Sequence, residues 1–188
     1  MGITVNNAFT VENGSIVTVT GNAGNSSYGY AAVRLYNDYP FTVDSTSELY
    51  IEDNNNTGLY VRQGNLTVED GAVLKITGNK VSHSLLDGYG GGIYVGSNNV
   101  TLRGGIISDN EAVRQGGGVY VGSVPYVMTI YDALVTNNTA TILGGGIWAC
   151  PTGDTEVFVT NGVGIYDNTS TGAGDDVVSV KTDGQNYV

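Results

Sequence analysis

The sequence predicts an all-β fold: a right-handed, single-stranded parallel β-helix, a solenoid of about six coils with three short strands in each. No stretch shows the apolar period of an amphipathic helix, and short segments rich in Val, Ile, Leu, Thr and Tyr alternate with Gly, Asn, Asp and Ser. In addition, three short phrases recur in a fixed order about six times. The repeats extend along residues 1–188, which we interpret as one β-helix domain.

The first phrase is a glycine-rich turn followed by a short apolar strand. Gly90–Ser97 reads GGGIYVGS, and Gly116–Ser123 repeats it as GGGVYVGS. Glycine adopts positive φ at low cost, and its missing side chain lets successive coils stack at about 4.8 Å. We therefore expect these glycines to turn the chain sharply into the first strand of each coil. The first apolar residues of the copies are Ile3, Val33, Leu59, Ile93, Val119, Ile147 and Val177.

The second phrase reads apolar–Thr–apolar and predicts a second short strand whose two apolar residues point inward. Its five copies are Phe9–Val11, Phe41–Val43, Leu66–Val68, Val100–Leu102 and Met128–Ile130. In a sixth copy, Val157–Val159, Phe158 takes the place of the threonine. We attribute the threonine column to β-propensity and not to ice binding, because its flanking positions are charged.

The third phrase is an aliphatic residue followed three positions later by asparagine. Its six copies are Val19–Asn22, Ile51–Asn54, Ile76–Asn79, Ile107–Asn110, Val135–Asn138 and Ile165–Asn168. Asparagine tolerates the left-handed turn conformation, and its amide can hydrogen-bond to the equivalent amide in the next coil. The asparagines are therefore predicted to form a structural ladder along the solenoid.

The repeat unit itself favours a parallel β-helix over other repeat folds. Three short strands are too few for the four-stranded blade of a propeller, and the helical part of a leucine-rich repeat is absent. Insertions, two of which carry His83 and Pro125, are accommodated in turns without breaking the strand pairing. The inward side chains supply a sufficient core, because a buried aliphatic side chain contributes roughly 1.5–3 kcal/mol before entropy is subtracted.

Charge and composition exclude several function classes. Lys and Arg total 7 against 18 Asp and Glu, and the resulting net charge of −11 repels nucleic acid. The single cysteine, Cys150, excludes an internal disulfide and a cysteine-based metal site. Because no run of about 18 apolar residues is present, we expect no membrane insertion of this segment. No motif indicates a metal or a cofactor, and none is predicted.

The Gly-Gly-Gly-[Ile/Val] and [Ile/Val]-x-x-Asn phrases resemble the GGA[I/L/V] and FxxN repeats of chlamydial polymorphic outer membrane proteins. They are still more similar to the Gly-Gly-Gly-Ile-Tyr repeats of β-helical surface proteins from gut bacteria. The resemblance covers nearly the whole chain and departs from the chlamydial pattern in having Gly for Ala and Ile or Val for Phe. It implies an extracellular, adhesin-type module on a bacterial cell surface, excised from a longer protein, and it names no catalytic residue.

One outward column of the predicted solenoid is aromatic. The outward positions of the first strand are Arg34, Tyr60, Tyr94, Tyr120, Trp148 and Val178. Sugars stack on aromatic faces, and Tyr and Trp combine apolar area with a polar atom. Tyr60, Tyr94, Tyr120 and Trp148 are therefore the predicted ligand-binding residues, for a glycan or surface protein of host or bacterial origin. Two alternatives stay open: the rings stabilise the sheet by stacking between rungs, or a neighbouring domain covers them.

A second outward column, Glu12, Asp44 and Glu69, places carboxylates on adjacent rungs about 5 Å apart. That separation is typical of a retaining glycosidase and also suits Ca²⁺, so a polysaccharide lyase or glycoside hydrolase is an alternative function. The Gly-His-Gly signature of polygalacturonases and a basic cluster for a lyase are missing, however. A solvated acidic edge beside Arg103 is the default interpretation, and a passive structural stalk is the remaining alternative.

The end of the repeat region predicts a further contact. After Val177–Val180 the sequence offers little to cap the stack, and an uncapped coil exposes unpaired backbone donors and acceptors. We therefore expect a continuation of the solenoid, an end-to-end contact or a contact with a neighbouring domain.

Overall fold

The computed structural model describes residues 2–22, 31–36, 39–62, 66–82, 88–96, 99–122, 127–150, 154–158, 162–180 and 186–187. Within these residues the chain forms an all-β parallel solenoid, and they contain no helix. The insertions that carry His83 and Pro125 lie outside the described residues. The parallel β-helix predicted from the repeats is confirmed.

Sheet A contains the strands of the first phrase, paired in parallel one coil apart. The register aligns Ile93 with Leu59 on one side and with Val119 on the other, as the repeat predicts. Its strands are Ile3–Val5, Ala31–Leu35, Thr57–Val61, Ile93–Val95, Val119–Val121, Ile147–Ala149, Val177–Val180 and the antiparallel Asn186–Tyr187. The antiparallel strand therefore occupies the edge at which a further parallel coil would pair.

Sheet B contains the strands of the second phrase. They are Phe9–Val11, Phe41–Val43, Leu66–Val68, Asn99–Arg103, Val127–Tyr131 and Asp154–Phe158. The register aligns the threonines from Thr10 to Thr129 in one column, as predicted. In the sixth strand, however, the register differs from the one predicted from the sequence. Glu156 and not Phe158 pairs with Thr129, while Phe158 pairs with Tyr131. The alignment failed here because this strand lacks the central threonine that marks the other copies.

Two further sheets complete the coils. Sheet C contains Ile16–Thr20, Glu48–Glu52, Val73–Thr77, Ile106–Ser108, Leu134–Thr136 and Gly164–Tyr166, the strands of the third phrase. Sheet D, which the sequence did not predict, contains Lys80–Val81, Glu111–Ala112, Thr139–Ala140 and Thr169–Ser170. The later coils therefore have a fourth strand. The repeat phrases could not reveal it, because a strand of two residues shows no alternating pattern.

Side chains alternate between the core and the outer surface along each strand, as predicted. Ile93 and Val95 are fully buried, whereas Tyr94 between them is half-buried on the outer face. The inward residues of successive coils form one continuous hydrophobic core. Its largest fully buried side chains are Phe41, Leu49, Ile51, Leu59, Leu66, Leu74, Ile76, Ile93, Leu102, Ile107, Met128 and Ile130.

The glycines of each triplet have two different roles. Only the first, such as Gly116 with a φ of 66°, is in the left-handed region that turns the chain into sheet A. The second lies against the backbone of the next coil: a Cβ on Gly117 would lie 2.4 Å from the carbonyl oxygen of Gly145 and 2.5 Å from that of Thr139. The triplet is therefore required by close backbone packing as well as by the turn.

The recurring asparagines form the predicted ladder, and most of them are buried. Nδ2 of Asn110 donates to Oδ1 of Asn138 at 2.9 Å and to the carbonyl oxygen of Ile76 at 2.9 Å. The same amide-to-amide bond joins each rung from Asn22 to Asn168. Because every amide donates toward the next coil, the ladder has a direction, and its last rung needs an acceptor.

Two aspartates supply acceptors at the last rung. In the final repeat, Asp175 and Asp176 replace the second and third glycines of the triplet. Oδ1 of Asp176 accepts from the backbone N–H of Asn168 at 3.1 Å and from its Nδ2 at 3.0 Å, as the next asparagine of the ladder would. Oδ1 of Asp175 accepts from the backbone N–H of Ser170 at 2.7 Å. These carboxylates form an internal cap that comparison of the repeats alone overlooked.

Candidate ligand-binding face

The predicted aromatic column is a continuous row of rings on the outer face of sheet A. We call Tyr60, Tyr94, Tyr120 and Trp148 the aromatic ladder, and the strand register places them on four successive rungs. Ring centroids are 4.7 Å apart between Tyr60 and Tyr94, 4.8 Å between Tyr94 and Tyr120, and 4.7 Å between Tyr120 and Trp148. The structure therefore brings the four predicted ligand-binding residues together.

The rings of the ladder use much of their flat surface to contact one another. Tyr120 and Trp148 are stacked with 11° between their planes, Tyr94 is tilted by 34° from Tyr120, and Tyr60 meets Tyr94 at 73°. Each such pair stabilises the sheet by about 0.5–1.5 kcal/mol beyond its buried area. Because the stacked faces are covered by neighbouring rings, a ligand here contacts mainly ring edges and hydroxyl groups.

Exposure differs along the ladder. The three tyrosines are half-buried, whereas Trp148 is only 8% exposed and its Nε1 has no hydrogen-bond partner among the described residues. Burial raises the pKa of Tyr120 to about 12, so its hydroxyl stays protonated near neutral pH. The accessible part of the ladder is therefore formed by the tyrosines, and Trp148 packs at its end.

A glycine beside the ladder gives the rings room. Gly96 follows Tyr94 by two positions, and a Cβ there would lie 3.2 Å from Cε1 of Tyr94 and 3.6 Å from Cε2 of Tyr60. On the next rung Gly122 takes the equivalent place, two positions after Tyr120. The last glycine of the repeated GGG[IV]YVG phrase therefore leaves space for the tyrosine ring two positions before it.

Two arginines flank the N-terminal end of the ladder, of which the sequence analysis placed only Arg34 in the column. Cζ of Arg34 lies 4.9 Å from the ring centroid of Tyr36 and 5.3 Å from that of Tyr60. Cζ of Arg62, one coil further along, lies 4.5 Å from the ring centroid of Tyr36. Cation–π attraction therefore holds both guanidinium groups against the aromatic surface.

A third arginine lies beside the ladder at a different point. Cζ of Arg114 is 5.2 Å from the ring centroid of Tyr89, and that ring is 4.7 Å from the ring of Tyr120. Three of the seven basic residues of the chain are thus associated with this aromatic surface. The described strands of sheet A contain no Asp or Glu, so this face differs in charge from the strongly acidic chain as a whole.

The acidic column lies where the sequence predicted it, and two of its carboxylates bind the backbone of the preceding coil. Glu12, Asp44 and Glu69 follow aligned strands of sheet B. Oδ2 of Asp44 accepts from the backbone N–H of Asn13 at 2.9 Å, and Oε2 of Glu69 accepts from the backbone N–H of Ser45 at 3.2 Å. Each of these two carboxylates therefore stabilises a turn.

Hydrogen bonds keep Asp44 ionised. The backbone N–H groups of Asn13 and Thr46, followed by the side chains of Ser47 and Thr46, lower the pKa of Asp44 to about 2. A carboxyl group with so low a pKa is a weak base and holds no proton to donate near neutral pH. The geometry gives Asp44 a structural role and does not favour it as the general acid of the alternative glycosidase function.

We expect the contribution of Asp44 to stability to be lost in acid. Its pKa is lower in the folded chain than the ordinary value of 3.8, so the contribution is present above that value and disappears as the pH falls toward 2. Thermal unfolding followed by circular dichroism should show a smaller fall in Tm across this interval for Asp44→Asn than for the wild type. The same pH dependence in both proteins would contradict the assignment.

Arg103, the expected neighbour of the acidic column, lies over an aromatic ring. Its Cζ is 4.2 Å from the ring centroid of Tyr131, while the ion pairs formed within the described part of the chain are Lys75–Glu52 and Lys80–Glu111. Among the same residues, no group of three His, Cys, Asp or Glu side chains could hold a metal ion. In that part of the chain there is also no helix with the length and apolar character needed to cross a membrane.

In comparisons with known proteins, no family model, no curated protein and no solved structure matched the chain. The fold is therefore established by strand register and burial, and any assignment of function depends on the chemistry of the surface described above.

Proposed function

We propose that the chain is a glycan-binding module of a bacterial surface protein, in which the solenoid presents the aromatic ladder to an extracellular ligand. The observation that carries the proposal is the ladder itself: half-buried tyrosines on successive rungs of a sheet face whose described strands contain no carboxylate. Tyrosine edges of this kind combine apolar area with a hydroxyl that donates and accepts hydrogen bonds.

The spacing of the ladder favours a polymeric ligand. Equivalent groups repeat at about 4.8 Å along a parallel β-sheet, so the three tyrosines of the ladder offer a ring edge and a hydroxyl on successive rungs, each at its own tilt. A polysaccharide offers hydroxyl groups and C–H surfaces at regular intervals in the same way. Several weak, equivalent contacts along one chain then add up to a useful affinity.

The packing of the ladder also lowers the entropic cost of binding. Tyr94 contacts Tyr60 on one side and Tyr120 on the other, so its ring is already ordered before a ligand arrives. Binding to a preorganised surface loses less side-chain freedom than binding to flexible side chains. The stacking that stabilises the sheet is therefore compatible with recognition at the ring edges.

The proposal predicts that a double variant in the middle of the ladder loses glycan binding. We expect Tyr94→Ala combined with Tyr120→Ala to reduce binding at least about tenfold, because two central contacts are removed and loss of a hot-spot contact costs 2 kcal/mol or more. Glycan arrays, followed by binding assays with the selected glycans, would measure the effect.

A matched control lies on another face. Thr42→Ala combined with Thr67→Ala also changes outward side chains on two adjacent rungs, but in sheet B, and should leave binding unchanged. Equal binding by the folded ladder variant and the wild type would contradict the proposal. Absence of glycan binding by the wild type would instead favour the passive stalk.

A further inference from the structure

We infer that the ligand of this face is an acidic polysaccharide, whose carboxylate or sulfate groups are bound by Arg62, beside Arg34 and Tyr36, at the N-terminal end of the aromatic ladder. The inference rests on the proposed function and names the chemical class of its ligand. It also adds two residues, Arg62 and Tyr36, that the sequence analysis did not include in the site.

The first support is the separation of charge between faces. The Asp and Glu residues of the described chain lie in sheets B, C and D and in the turns, and two of them, Asp175 and Asp176, immediately precede the last strand of sheet A. The others are Glu12, Asp44, Glu48, Glu52, Asp53, Glu69, Asp70, Asp109, Glu111, Asp132, Asp154, Glu156 and Asp167. The described strands of sheet A have none, and Arg34 and Arg62 lie at the ladder. A chain with a net charge of −11 therefore concentrates positive charge beside its aromatic surface.

The second support is the geometry of Arg62. Its side chain is exposed, it forms no ion pair with the described part of the chain, and its Cζ is 4.5 Å from the ring centroid of Tyr36. Contact with the ring restrains the guanidinium group, while the exposed position of the side chain leaves its N–H edge accessible. That planar edge matches the two oxygens of a carboxylate or sulfate group.

The arrangement of the cluster extends this site to the ladder. Arg34 and Tyr36 are on one rung, and Tyr60 and Arg62 are on the next. An arginine and an aromatic ring therefore alternate both along the chain and between the two neighbouring rungs. This arginine cluster adjoins the first ring of the ladder, since Cζ of Arg34 is 5.3 Å from the ring centroid of Tyr60. A polymer that continues along the tyrosines thus combines charge recognition at one end with edge contacts beyond it.

The acidic faces do not prevent this interaction at physiological salt. Outward side chains of different faces are separated by the core, and exposed charges farther apart than the Debye length of about 8 Å are largely screened at that salt concentration. Nucleic acid is a poorer fit, since its affinity depends on neutralising many closely spaced phosphates. A polysaccharide with one acidic group in each sugar or disaccharide needs only a few arginines.

The test compares acidic polymers with uncharged counterparts of the same backbone. Polygalacturonate is compared with its fully methyl-esterified form, and heparin with desulfated, carboxyl-reduced heparin, by biolayer interferometry on the whole chain. We expect at least one acidic polymer to bind and its uncharged counterpart to bind at least about tenfold more weakly. The two pairs distinguish carboxylate from sulfate as the preferred group.

Arg62→Gln should weaken binding of the acidic polymer about tenfold, because a charge-assisted hydrogen-bond pair is lost. Arg103→Gln is the matched control, since Arg103 also lies over a tyrosine ring but on sheet B, and its binding should equal that of the wild type. Equal losses in the two variants would indicate nonspecific charge attraction and overturn the inference.

Other outcomes separate this inference from the proposed function. Equal binding of acidic and uncharged polymers, with binding lost in the Tyr94→Ala, Tyr120→Ala variant, overturns the acidic ligand and leaves the glycan-binding function. Binding of the acidic polymer that survives the tyrosine double variant overturns the role of the ladder and leaves the arginine site. Tighter binding of single-stranded DNA than of either acidic polysaccharide overturns the ligand class.

Discussion

Replacing Gly117 with alanine should lower the free energy of unfolding by about 3 kcal/mol or more, at the upper end of the cost of overpacking. The added Cβ would lie 2.4 Å from the carbonyl oxygen of Gly145 and 2.5 Å from that of Thr139. Both neighbours are backbone carbonyl groups of the next coil: Thr139 lies in a strand of sheet D, and the carbonyl oxygen of Gly145 accepts from the N–H of Gly118 at 3.0 Å. Neither can move aside without disturbing the hydrogen bonds between coils. Urea denaturation followed by circular dichroism would measure the change.

Two further glycine variants make this prediction specific. A Cβ on Gly58 would lie 2.8 Å from Cγ2 of Ile76, 2.9 Å from Nδ2 of Asn79 and 2.9 Å from the carbonyl oxygen of Gly92, so its contacts are less tight than those at Gly117 and two of the three are with side chains. Gly14 has a φ of 71° and open space around it, so alanine there adds only the conformational cost of about 1–2 kcal/mol. The expected order of destabilisation is Gly117, Gly58, Gly14, and a larger loss at Gly14 than at Gly117 would contradict the close-packing explanation.

The sequence predicted the fold because the same side-chain requirements recur in every coil. Ile93, Val119 and Ile147 follow triplets of glycine, and strand pairing aligns them. Each residue lies beside the equivalent residue of the next coil. The pattern therefore stays recognisable from the other copies when one copy deviates at a single position. Alignment of the repeats was therefore equivalent to predicting the register.

The prediction failed where a copy lacked its marker or was too short to have one. Without a central threonine, the strand Asp154–Phe158 was placed two residues out of register. The two-residue strands of sheet D carry no periodic signal. Asp176 was not assigned to the asparagine ladder, although aligning the last triplet would have placed it in the position of a glycine.

The candidate site was predictable in position but not in its physical properties. Outward alternation placed Tyr60, Tyr94, Tyr120 and Trp148 in one column. Ring tilt and the burial of Trp148 depend on three-dimensional packing around each ring, which a strand pattern does not contain. The place of Arg62 in the site was missed because it comes two positions after the tyrosine column, and only the register shows that it neighbours Tyr36.

Asn110→Ala should destabilise the chain by about 3–5 kcal/mol, because it leaves several buried backbone and amide groups without partners. The backbone N–H of Asn79 loses its acceptor at 3.1 Å, and the carbonyl oxygen of Ile76 loses the Asn110 Nδ2 donor at 2.9 Å. Both groups lie in the interior, where water cannot replace the lost bonds. Equilibrium denaturation in urea would give the change in unfolding free energy.

The direction of the ladder supplies the control and a second test. Asn22 is the first rung and receives no amide bond from an earlier asparagine in the described part of the chain, so Asn22→Ala should cost only about 1 kcal/mol.

Asn110→Asp should also be strongly destabilising, because a carboxylate oxygen would then face Oδ1 of Asn138. At the last rung the carboxylate of Asp176 only accepts, so Asp176→Asn should be nearly neutral. Equal tolerance of aspartate at the middle and last rungs would contradict a directional amide ladder capped by a carboxylate.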